Sequence, residues 1–270
     1  MMQKNKLIGI VLAIVGIFTG ILLLYLLAQN YMIVVDGKLV GGRPDEAVAV
    51  EITHSMLGSL GIIASALWAA VLYGFVTNQE WSWRWGSVAA ALHLLSGFFP
   101  TIPAGSIHLP KPTMTVFAIA AVLWFGMMYM GSVNRKTVLL TFVAGLAYVL
   151  TYIIGVAMIS RYQYLGFETD IPKVFKGMYA VVQMSTWMGA AAWLTFIYAV
   201  LSHRKWALPL GVMAAATSMI SGYTVAGAEL MAKGGIFNLY MPAALIATGL
   251  LIYLLTPGAK ALIEGQKASV

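Results

Sequence analysis

The chain contains no cysteine among its 270 residues. Disulfides, thiolate metal sites, iron–sulfur clusters and cysteine nucleophiles are therefore excluded. Charge is almost as scarce. Only 9% of residues are Asp, Glu, Lys or Arg, against about 25% in soluble domains. Acidic residues are the rarer sign, nine against sixteen basic ones, for a net charge of +7. The basic excess is scattered singly or in pairs beside apolar stretches, which is topology information and not a nucleic-acid-binding stripe. No HExxH, P-loop or GxSxG context is present.

What fills the chain instead is apolar sequence: 61% of residues are hydrophobic and the mean hydropathy is +0.87. This predicts an all-α polytopic membrane protein. A span needs about 20 apolar residues, and eight such stretches fall at roughly 7–28, 49–76, 85–103, 113–131, 137–159, 174–201, 206–227 and 237–256. The first is longer than a signal-peptide core and lacks a small-x-small cleavage site, so it reads as a retained helix or signal anchor.

Lysine and arginine placement sets the expected orientation. One set of connecting segments holds nine basic residues, from Lys4 and Lys6 to Lys260 and Lys267, against only Glu80 and Glu264. The other set holds seven basic and seven acidic residues. The positive segments belong on the cytoplasmic side. The expectation is a multi-pass protein of the cell membrane with both termini cytoplasmic. Trp81, Trp83, Trp85 and Trp206 fit an aromatic belt on that side.

The two halves match in layout. The outer loop 29–48 corresponds to 160–173, and SGFFPTIPAG (96–105) corresponds to SGYTVAGAEL (221–230). Two parallel four-helix repeats, 1–134 and 135–270, are therefore expected, the first carrying the candidate site. Abundant glycine and alanine signal close helix packing in lipid.

An ionisable residue at the edge of the hydrocarbon is costly to keep and is a functional candidate by default. The second stretch opens with Glu51 and His54, three residues apart and so on neighbouring positions of one helix face. His54 is a candidate axial ligand for heme iron, with Glu51 as a proton acceptor or supporting partner. Ser55, Gly58 and Gly61 on the same helix leave room for a flat macrocycle or allow tight packing. His93 lies deeper, in the third stretch, as a second ligand, a proton relay or a structural group. His108 sits in a proline-stiffened outer turn, and His203 in a basic inner loop. Met114, Met178 and Met241 each stand near the outer start of a helix, where a thioether is a weak ligand or simply adaptable packing.

The ExxH element Glu51/His54 in EITHSMLGSLG, set in a duplicated four-helix layout, resembles the heme A synthase family. The resemblance implies a b-type heme on His54; His93, His108 and Met114 are further candidate cofactor contacts from their own placement. It also implies the oxidation of heme O to heme A and a place beside the subunits of a respiratory complex. The family pattern has arginine straight after this histidine, where this chain has Ser55. It also has histidines where this chain has Met114, Met178 and Met241. Two alternatives stand beside it: a non-catalytic subunit or assembly factor of a respiratory membrane complex, and a small-solute or proton-coupled transporter.

Overall fold

The structure is a computed structural model that describes residues 2–163, 173–233, 238 and 240–264. All regular secondary structure among the described residues is helical. Ten helices run in the order α1 (Met2–Val40), α2 (Pro44–Val76), α3 (Ser82–Phe98), α4 (Thr101–Gly105), α5 (Met114–Met130), α6 (Arg135–Gln163), α7 (Lys173–Leu201), α8 (Ala207–Lys233), α9 (Met241–Leu254) and α10 (Pro257–Glu264). They divide into two compact units, Met1–Val133 and Asn134–Val270.

Among the described residues six helices are long and apolar enough to cross a membrane, or seven if the bent pair α9–α10 is one span. Each of the eight expected stretches contains a helix, but α5 has only 17 residues. The chain is a helical membrane protein.

One sequence expectation needs correction. The segment 29–48 is not a long loop. α1 runs on to Val40 and α2 begins at Pro44, leaving only residues 41–43 between them. No proline interrupts this stretch before Pro44, so nothing stops the helix until the Gly41-Gly42 pair. There the chain closes a Schellman cap: Arg43 N–H donates to the Lys38 carbonyl and Gly42 N–H to that of Leu39, with Gly42 at φ 69°. Pro44 then starts α2, where its fixed φ suits the first turn. The expected matching loop 160–173 lies largely outside the described residues. The third expected span is broken at Pro100 into α3 and the short α4.

In the first unit α1 and α2 form a long antiparallel hairpin. Glycines on α1 receive bulk from α2: Gly9 faces Phe75, and Gly16 lies against the fully buried Trp68. Lys6 closes one end of the hairpin by donating to the Val76 carbonyl at 2.7 Å, one of the acceptors a helix C-terminus leaves open. At the other end Val34, Val35, Ala47, Val50 and Ala104 form a small core, with Tyr31, Ile107 and Leu109 packed on it.

The second unit is tied through Ser218 of α8. Its hydroxyl accepts from Thr151 of α6 at 3.0 Å and from the indole N–H of Trp193 of α7 at 2.9 Å. One small hydroxyl thus joins three helices in an apolar interior, where a polar group needs a partner.

Candidate functional site

α2 carries His54 into the first unit. The side chain is 3% exposed and sits edge-on to Tyr31 of α1, with ring centroids 6.0 Å apart at 73°. The imidazole lies against the backbone of Val50, one turn earlier, but Nδ1 makes no well-formed hydrogen bond. Its neighbour Thr53 is buried too and returns its hydroxyl to the Ala49 carbonyl at 2.7 Å.

Glu51 is exposed. Three residues advance a helix by about 300°, and that offset carries the carboxylate off the buried stripe that holds His54. Among the described residues the two side chains share no hydrogen bond. The room expected beside Gly58 and Gly61 is used for packing. A Cβ on Gly61 would stand 2.6 Å from Cδ2 of the buried Leu23, and one on Gly58 would stand 3.9 Å from Leu27. Gly61 lets Leu23 of α1 pack against α2, whereas a Cβ on Gly58 would meet only an ordinary contact.

His93 is fully buried in α3. It faces a point of close approach between α1 and α2. A Cβ on Gly20 would lie 3.1 Å from the His93 Nε2 and 2.6 Å from the Gly61 carbonyl oxygen, and would overlap the Ser65 hydroxyl. Ser65 already donates to the Ile17 carbonyl at 2.9 Å. The ring lies against the Gly61 backbone, and neither of its nitrogens makes a well-formed hydrogen bond. His93 packs seven residues along α2 from His54, about 10 Å of axial rise. The fully buried Leu57 lies on the stretch between. The imidazoles occupy two separate levels.

His108 is exposed, at φ 58°, and ends α4. Its N–H donates to the Gly105 carbonyl and that of Leu109 to Ala104. His203 does the same after α7, at φ 50°, with N–H donation to Val200 and from Arg204 to Ala199. Both occupy the left-handed position of a Schellman cap, which histidine tolerates better than most residues. Glycine tolerates it best. His108→Gly and His203→Gly should therefore fold normally and gain about 0.5–1 kcal/mol from relieved backbone strain, read as a raised thermal midpoint in detergent. A loss in both would show that the imidazoles themselves are needed.

Met114 is 39% exposed at the start of α5. Met178 and Met241 pack against the apolar cluster around Ile154, Tyr179 and Val225. Among the described residues no three His, Asp or Glu side chains are placed to share a metal ion.

Sequence reading missed the most unusual charge. Lys38 is 1% exposed, buried at the tip of the hairpin. Its ammonium pairs with Glu46 of α2 and donates to the Ser106 hydroxyl at 2.6 Å. Arg43 stands 3.7 Å from the same Glu46 oxygen. Three segments meet on one ammonium. The available signal was the unbroken helical stretch to Gly41, which puts Lys38 on α1 and not in a loop. Glu229 was likewise assigned to a connection, but α8 runs to Lys233 and buries it to 6% exposure.

Compared with known proteins, the chain matches no family model, no curated protein and no solved structure.

Proposed function

We propose that this protein is a polytopic subunit or assembly factor of a membrane complex, and that it engages its protein partner through the Lys38 end of the α1–α2 hairpin. The supporting observation is a length mismatch. Exposed apolar side chains run along α1 from Leu7 to Val40, a rise of about 50 Å. The hydrocarbon is about 30 Å thick, and even a tilt of about 40° leaves roughly 8 Å of that stripe outside it. Gln29 and Asn30 mark where the polar boundary falls. Beyond them Met32, Ile33 and Leu39 are each more than half exposed, and Val40 is 91% exposed. An apolar patch past the reach of lipid marks a protein contact. In this reading eight helices cross the cell membrane with both termini cytoplasmic, and the docking end lies outside. A respiratory assembly is the kind of complex to which the heme A synthase resemblance points.

The second reading is a single heme on His54. It is favoured by the buried Nδ1 of that ring, which lacks a well-formed hydrogen bond, and opposed by Leu23 packed against Gly61. One preparation tests both. Protein extracted in mild detergent should migrate as a stoichiometric complex well above its own 29.1 kDa, and Val40→Glu should release it with an unchanged thermal midpoint. A lone monomer of 29.1 kDa in the same mild detergent rules out the first reading. A Soret band that disappears in His54→Ala establishes the second.

A further inference from the structure

A groove in the second unit carries a separate inference. α9 stops after 14 residues, about 21 Å of rise, short of the hydrocarbon thickness. The chain then turns at Leu255 and Thr256, and α10 leaves at 85° to α9. The Thr256 hydroxyl accepts from the Ala259 N–H at 3.3 Å, and Pro257 opens the new helix. α10 buries Ala259 and Ile263 and turns Lys260 outward.

The short α9 and the elbow leave an open groove of about 630 Å³ against α6, within the roughly 300–1,000 Å³ usual for small-ligand sites. Leu139, Val143, Ile246, Leu250 and Leu262 make it apolar, and Lys136 is the one charged side chain among its described lining residues. Arg135 precedes Lys136 in the first turn of α6. Lys260 on α10 adds a third cation beside the same elbow, where it lines a smaller apolar recess with Leu254 and Pro257.

We infer that this groove holds one acyl chain of an anionic phospholipid, with its headgroup drawn to Lys136 and its neighbouring cations. An apolar trough open to the side selects a lipid tail. A cationic rim formed by its described charged residues selects a negative headgroup over a zwitterionic one. The inference is independent of the docking reading and of any heme, since it uses only α6, α9 and α10.

Gly249 provides a clean test. It lines the groove, and a Cβ placed on it meets nothing within 4 Å. Gly249→Leu therefore starts into open space and projects into the trough. The measurement is native mass spectrometry of the full chain after exchange into equimolar phosphatidylglycerol and phosphatidylcholine. The wild type should retain one phosphatidylglycerol with a several-fold preference. Lys136→Gln should abolish the preference, and Gly249→Leu should abolish retention, both with an unchanged thermal midpoint. Equal retention of the two lipids by the wild type, or undiminished retention by Gly249→Leu, overturns the inference.

Discussion

Gly20→Ala is expected to destabilise the protein by about 1–3 kcal/mol, the range for forcing a methyl group into a packed interior. The added carbon would overlap the Ser65 hydroxyl, which can rotate only by giving up its 2.9 Å bond to Ile17. It would also stand 2.6 Å from the Gly61 carbonyl oxygen and 3.1 Å from the His93 ring. The carbonyl belongs to the backbone of α2 and cannot step aside alone, so α1 and α2 must separate. Gly145→Ala is the matched control. Nothing lies within 4 Å of its added Cβ, and a helical glycine replaced by alanine gains up to about 1 kcal/mol. Equilibrium unfolding in mixed detergent micelles should therefore give shifts of opposite sign. A neutral Gly20→Ala would mean that the helices do not approach so closely there.

Glu46→Ala should cost more than removal of its lysine partner. Taking away the carboxylate leaves the buried Lys38 ammonium with the Ser106 hydroxyl as its acceptor among the described residues. Breaking a buried pair from one side typically costs 3–5 kcal/mol. Glu46 keeps 41% of its side chain exposed, so the low end, about 3 kcal/mol, is expected. Lys38→Met removes the charge itself and fills the same space, leaving Glu46 to water and Arg43. That variant should stay within about 1 kcal/mol of the parent. The comparison is made by thermal unfolding at low and high salt. Salt should change the Glu46→Ala loss little, because a buried charge is poorly screened. Equal losses in the two variants would show that Lys38 is solvated in the protein and not clamped.

The clamp also bears on the proposed partner surface. Val40 and Leu39 directly follow Lys38, so a loosened hairpin tip would blur the patch they form. Loss of complex in Glu46→Ala beyond that explained by unfolding would tie the buried pair to docking.

Composition alone determined the class of this protein. With so few charges and so much apolar sequence, its backbone amides have only one another to bond, and helices follow. The eight apolar stretches could be found for the same reason. Side-chain facing was less legible. Glu51 and His54 share a local register, yet the packing of α1 divides them into an exposed carboxylate and a buried imidazole. Glycines at 58 and 61 read equally as space for a cofactor and as contact for a helix, and only the positions of Leu23 and Leu27 decide. Lys38 read as a loop charge, because sequence order does not show that Glu46 and Ser106 converge on it. His108 read as a candidate ligand in a loop, and only its backbone angle shows that it also ends a helix. Hydrophobicity is a property of each residue and survives in the linear sequence. Which faces meet depends on partners many positions away, and only the folded chain brings those together.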